Sequence, residues 1–178
     1  MLTPVFDYRS DNYSGSLQSP IELVQYGDYR CQHCAEAHLV ISALHNAFAQ
    51  SLRFIFRNFP LPNVHPLSLE SAVAAGAAGR QQKFWEMHEL LLENQKFLNR
   101  ASFTRMAEAL RLDMDRFGQD CRNPEIFLKV TGDFEGGIRS GVDGTPTFFI
   151  NGQRYNGFTD FKGLYNACHA VNEYSEHF

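Results

Sequence analysis

The strongest chemical signal in the sequence is a pair of cysteines two residues apart, Cys31-Gln32-His33-Cys34. The pair follows a β-rich run, Ile21 to Tyr26, and a turn at Gly27-Asp28, and it opens a helical pattern. This placement has two physical consequences. A C-x-x-C spacing on a helical turn brings two sulfurs close enough to close a disulfide or to share one metal ion. The first sulfur also lies among unpaired backbone N–H groups at the positive end of the helix dipole, which lowers its pKa. Arg30 adds charge next door, and His33 adds charge or a hydrogen bond; Asp28 opposes both if it lies close. A stabilised thiolate is a good leaving group and favours the reduced pair, which is the property of an oxidant. The pattern predicts Cys31 as an exposed nucleophile, Cys34 as the buried resolving thiol and His33 as a third candidate catalytic residue.

A lone C-x-x-C is also half of a zinc site, which needs two further ligands. The other cysteines, Cys121 and Cys168, are isolated and fall on apolar helical stripes, which reads as inert core thiols. A second chemical element is Gly144-Thr145-Pro146-Thr147, leading straight into Phe148-Phe149-Ile150. Proline cannot donate to a β-ladder. A cis Thr145–Pro146 bond is therefore expected, presenting the Thr145 backbone to an extended peptide. Thr145, Pro146 and Gln32 are the candidate substrate-binding residues. Tyr29 and Phe149 flank the motifs and either help to form an apolar peptide-binding surface or are buried. His88 could reach the cleft, and Trp85 and Met87 read as core.

The elements that must position these residues follow from periodicity. Residues 1–18 are polar and aperiodic and read as an extended arm. Ile21–Tyr26 is a strand. Ala37, Val40, Ile41, Leu44 and Phe48 form the stripe of a helix running from Cys31 to about Gln50, and Leu52–Arg57 is a second strand, a parallel βαβ opening. Prolines at 60, 62 and 66 break the chain, and from Leu67 to about Arg139 the signals are helical. Among them are an Ala/Gly-rich helix over Leu69–Gly79, a cap at Asp113 and a first-turn Pro124. Thr147–Ile150, Asn151-Gly152 and Gln153–Tyr155 form a hairpin, and a last helix starts near Thr159 or Asp160.

Composition removes several classes. The chain has 178 residues, 44% hydrophobic and 20% charged, enough to bury a core without disulfide staples. A net charge of −4 disfavours a general nucleic-acid binder. The longest apolar runs, such as Ala72–Ala78, are far shorter than the roughly 20 residues of a membrane span. Residues 1–16 show no basic start and no apolar stretch, so the expectation is a cytoplasmic chain, or a periplasmic one if a leader was removed.

The helix-start C-x-x-C after LVQYGDYRC, the FRNFPL…HP stretch, KFWEMHELL and GTPTFFING together resemble the DsbA-like branch of the thioredoxin superfamily, from about Ser19 to Val171. The resemblance implies an α/β thioredoxin-like fold over 19–60 and 141–178, with an inserted helical subdomain over 61–140. It implies thiol–disulfide exchange at Cys31 and Cys34 opposite a cis-Pro146 loop, with no cofactor beyond the cysteine pair. The implied substrates are proteins or peptides with cysteine pairs, and a redox partner or glutathione recycles the pair. A non-catalytic, chaperone-like peptide binder of the same fold is the alternative. Two positions depart from the family: Gln32 stands where relatives usually have proline, and Gln25 where many have a glutamate that shuttles the proton of the resolving cysteine. The direction of electron flow stays open. A reducing compartment suggests reduction or isomerisation, whereas the His33-containing motif suggests an oxidant.

Overall fold

The computed structural model describes residues 1–175; residues 176–178, the end of the 141–178 stretch, lie outside the described residues. The chain order is β1 (Asn12–Ser14), β2 (Ile21–Gly27), α1 (Gln32–Phe48), β3 (Leu52–Asn58), α2 (Ser68–Gly79), α3 (Phe84–Glu93), α4 (Arg100–Ala109), α5 (Met114–Asp120), α6 (Pro124–Arg139), β4 (Thr147–Ile150), β5 (Gln153–Arg154) and α7 (Phe161–Ser175). The sheet order is β1-β3-β2-β4-β5. Among the described residues only β2 and β3 pair in parallel, with Leu23 opposite Phe54 and Gly27 opposite Asn58. The other neighbours are antiparallel.

The central strands are largely buried on both faces, with Glu22, Gln25, Arg53 and Arg57 interrupting their apolar residues. One face carries Ile21, Leu23, Phe54, Phe56 and Phe148 and meets α1, α7 and the small residues of α2. The other carries Val24, Tyr26, Ile55 and Phe149 under Leu2, Phe59 and Val142. Alternate side chains point to opposite faces, so a one-residue slip would exchange the two sets. Local signals set the helix starts. Asp113 accepts from the Arg116 amide at 3.0 Å. Asn123 caps α6 with Pro124 in its first turn. Asp160 accepts from the Gly163 amide at 2.7 Å at the head of α7. Asn151 and Gly152 both take positive φ in the hairpin turn. At Gly76 an added Cβ would lie 2.7 Å from Ile126 Cγ2, so α2 and α6 approach across a glycine.

The N-terminal stretch does more than the sequence indicates. Asn12–Ser14 adds an edge strand to β3, with Asn12 opposite Phe56. Three residues show no period, and their pairing depends on the free backbone edge of β3. Arg57 fastens the same stretch. Its guanidinium donates to Asp11 Oδ1 and Oδ2 at 2.9 and 2.8 Å, to the carbonyls of Pro4 and Val5, and to the Tyr26 hydroxyl.

Candidate active site

The parallel strand β2 ends at Gly27, and the turn Asp28-Tyr29-Arg30 delivers Cys31 to the N-cap of α1. The Cys31 amide donates to the Asp28 carbonyl at 3.1 Å, and the Cys34 amide to the Cys31 carbonyl at 3.0 Å. Cys31 makes no side-chain capping bond, which leaves its sulfur facing another partner. That partner is the Thr145 carbonyl, which accepts from Cys31 Sγ at 3.2 Å. The Thr145–Pro146 bond is cis, as the sequence suggests. Thr145 and Pro146 are thereby brought against the first cysteine from a segment 114 residues away.

The exposed nucleophile expected at position 31 needs correction: Cys31 is only 6% exposed. The cis-Pro loop covers one side. On the other, Gln95 donates from Nε2 to the Cys31 carbonyl at 2.9 Å, and Arg30 reaches back to the Gln95 carbonyl. Cys34 is fully buried, as expected.

The two thiols have opposite tendencies. The Cys34 thiol, directed at the Cys31 sulfur, is the largest influence holding Cys31 down to about 5. Burial opposes this, while Thr145 and the Cys34 and His33 amides support it. The Thr145 hydroxyl is buried and has no hydrogen-bond partner among the described residues; the Thr145 group in contact with the sulfur is the carbonyl. Burial pushes the Cys34 thiol well up, and the neighbouring Cys31 charge adds to that. The Asp28 amide, 3.5 Å from Cys34 Sγ, pulls the other way.

The side chains of Gln32 and His33 are exposed. Gln32 Nε2 donates to Glu36 Oε1 at 3.0 Å, and His33 Nδ1 lies 3.0 Å from Glu36 Oε2. The Glu36 carboxylate raises the His33 pKa, and the Cys31 charge raises it further. Asp28 does not oppose the Cys31 thiolate from close by: its carboxylate turns to the Arg30 and Leu61 amides and to His65.

Other singled-out residues resolve differently. Tyr29 and Phe149 are 1% and 0% exposed and form no peptide-binding surface. His88 is buried rather than in the cleft, and burial drops its pKa to about 3. Its Nδ1 lies 3.0 Å from the Tyr29 hydroxyl. Met87 is core, and Trp85 donates to the Tyr13 carbonyl from a half-buried position. Cys168 is buried, with its pKa pushed up to about 12. Cys121 is half-buried, not core. Among the described residues no group of three or more His, Cys, Asp or Glu is arranged to hold a metal ion. Sequence reasoning missed Gln95 and Glu36. Glu36 was accessible as an i+3 and i+4 neighbour of the motif, whereas nothing local marks Gln95.

A family model described as Thioredoxin matches residues 9–169. The chain belongs to the thioredoxin family, in its DsbA-like branch. Among solved structures, the thiol-disulfide exchange protein alpha-DsbA2 from Wolbachia pipientis is 25% identical, with a TM-score of 0.82 over 95% of this chain and 89% of that one. A thioredoxin-like oxidoreductase from Silicibacter pomeroyi shares the fold at 23% identity and a TM-score of 0.80, covering 92% and 93% of the two chains. A curated relative, the Na(+)/H(+) antiporter NhaA 1 of Salinispora arenicola, is 38% identical over 92% of this chain. Its namesake in Mycolicibacterium vanbaalenii is 36% identical over 96%. The chain spans only about a quarter of these relatives, 25% and 28% of their lengths, so the match bears on that segment alone. Among the described residues of this DsbA-like chain, no helix is long and apolar enough to cross a membrane.

Proposed function

We propose that this DsbA-like chain is a protein thiol–disulfide oxidoreductase whose redox pair is Cys31 and Cys34. The observation that carries the reading is the asymmetry of the pair: Cys31 held near 5 at a helix start, beside a buried, protonated Cys34. In the oxidising direction a substrate thiolate attacks Cys31 Sγ, the Cys31–Cys34 bond breaks, and the electron pair leaves on Cys34. A second substrate thiolate then attacks the substrate sulfur of the mixed disulfide. Cys31 departs as a stabilised thiolate, and the substrate is left oxidised. In the reducing direction the Cys31 thiolate attacks a substrate disulfide, and Cys34 resolves the product. No cofactor takes part.

The depressed Cys31 favours the reduced pair and hence oxidation of substrates. Thr145 and Pro146, facing the sulfur, are assigned to an extended substrate segment, with Gln32 at its edge. His33 contributes positive charge beside the thiolate. The test is exchange with a model protein substrate. Cys31→Ser should abolish it, and Cys34→Ser should accumulate mixed disulfides on Cys31. Full activity in Cys31→Ser would overturn the reading.

A chaperone-like role has one observation in its favour, an open apolar hollow of about 400 Å³ lined by Pro60, Leu61, Pro62, Val64, Phe127 and Phe134. It predicts peptide binding that survives loss of both cysteines.

A further inference from the structure

Cys31 must hold its sulfur in one direction through two successive displacements, and each of its polar groups is tied. Its amide donates to the Asp28 carbonyl at 3.1 Å. Its sulfur lies 3.2 Å from the Thr145 carbonyl. Its own carbonyl accepts from the Cys34 amide at 3.0 Å and from Gln95 Nε2 at 2.9 Å. Gln95 comes from the inserted helices, in the short connection between α3 and α4. Its main chain takes a second hold on the same turn, because the Gln95 carbonyl accepts from the Arg30 guanidinium. The connection is itself anchored: the Asn94 side chain donates to the Leu90 carbonyl at 2.8 Å, and Leu98 is buried. Helix α3 also reaches the turn, with His88 Nδ1 at 3.0 Å from the Tyr29 hydroxyl. Tyr29, Arg30 and Cys31 are thus gripped in succession by α3 and the residues that follow it.

We propose that Gln95 is a positioning residue for the resolution step, fixing the Cys31 main chain so that its sulfur stays in line between Cys34 and the substrate sulfur. This rests on the exchange mechanism above and deepens it. In the mixed disulfide the Cys31 sulfur carries no hydrogen, so its bond to the Thr145 carbonyl is gone. What remains is the Cys31 main chain, held by the turn, by α1 and, from outside both, by Gln95. The Cys34 thiolate then attacks Cys31 Sγ. The Cys31–Cys34 bond forms, the bond to the substrate breaks, and the electron pair leaves on the substrate sulfur. The Cys34 proton is taken up by base from solvent. The three sulfurs must lie close to one line, and a group already held in a near-attack pose spares the entropy of finding it.

The first step makes a different demand. A small disulfide approaches the free Cys31 thiolate from solvent and aligns itself, whereas Cys34 is fixed in the core and the Cys31 sulfur must be aligned for it. Gln95 meets the Cys31 carbonyl rather than the sulfur, so its removal leaves the ionisation of Cys31 in place. Its part is to donate. Methionine matches its length without an N–H, and an ionised glutamate matches its shape but sets an acceptor where the donor stood, against the Cys31 carbonyl.

The test is the reaction of reduced full-length protein with a chromogenic aromatic disulfide, which releases one aromatic thiolate at each step. The fast phase reports attack by Cys31, and the slow phase reports resolution by Cys34. Gln95→Met should slow the second phase about three- to tenfold, the worth of one net hydrogen bond. Gln95→Glu at neutral pH should slow it further. Acid-quenched samples of both should show the mixed disulfide on Cys31 accumulating by mass spectrometry. In Gln95→Met the first phase should stay within about twofold, and the midpoint of Cys31 alkylation against pH within about half a unit. An unchanged second phase in Gln95→Met overturns the proposal, as does a Gln95→Glu protein that resolves as fast as the unsubstituted one. Slowing of both phases together with a raised midpoint also overturns it, since that marks a site loosened as a whole. Loss of the first phase in the unsubstituted protein would instead sink the exchange mechanism itself.

Discussion

Replacing Cys34 by alanine or by serine separates the two origins of the Cys31 thiolate, its place at a helix start and its neighbour. The fall from 9.0 to about 5 has the Cys34 thiol as its largest cause. At about 1.36 kcal/mol per pKa unit the whole effect is about 5 kcal/mol, shared among several causes. A hydrogen bond to a charged group contributes about 1.5–3 kcal/mol, and an S–H donor belongs at the low end. Cys34→Ala should therefore move the Cys31 midpoint up by about one unit, while Cys34→Ser, which keeps a donor, should hold it within about half a unit. The assay is the rate of Cys31 alkylation by iodoacetamide from pH 3 to 9, read by mass spectrometry, with Cys34 shielded by burial.

The same ionisation couples to stability. The folded value lies below the unfolded one, so the thiolate stabilises the reduced protein fully above about pH 9 and loses that contribution as pH falls through about 5. The disulfide form has no such group, so the stability gap between reduced and oxidised protein should shrink on acidification. A wild-type midpoint near 9, or an alanine variant that titrates with the wild type, would refute the reasoning.

The arm should be energetically coupled to the sheet. Arg57→Ala leaves Asp11, 4% exposed in its side chain, without its main counter-charge. Lys129 at 3.7 Å compensates in part, so the loss should be about 3 kcal/mol by urea unfolding, and a loss below about 1 kcal/mol contradicts the assignment. Two glycines of α6 should respond with opposite sign. In Gly137→Ala the new Cβ would lie 2.7 and 2.8 Å from the Phe59 ring and should cost about 1–3 kcal/mol, whereas Gly132→Ala meets nothing within 4 Å and should gain about 0.5–1 kcal/mol. Equal midpoints for the two variants would refute the packing. Followed by NMR, the His33 pKa should fall in Glu36→Gln and rise on reduction of the cysteine pair; an insensitive His33 contradicts the contact.

The strands, the hairpin and the helix starts were legible because each depends on a few neighbouring residues. Asn151-Gly152 supplies the two positive φ values, Asp113 a cap, and Leu23, Phe54 and Phe148 the apolar run of a doubly covered sheet. The edge strand Asn12–Ser14 was not legible, since its stability comes from β3 and from Arg57 rather than from its own three residues. Burial of Tyr29, Phe149 and His88 was ambiguous for a related reason: an aromatic side chain beside a motif reads equally as core or as surface until its neighbours are placed.

By itself the sequence determined the chemistry available. Two sulfurs separated by two residues at a helix start, and a proline entering an apolar strand, are local arrangements that short-range geometry imposes. Only the tertiary structure decided how that chemistry is enclosed. The Thr145 carbonyl, the Gln95 amide and the Asp28–His65 pair come to one corner from four separate parts of the chain. Exposure, orientation and pKa depend on everything within a few ångströms of an atom, whatever its distance along the sequence, so they became readable only once the sheet and its helices had been assembled.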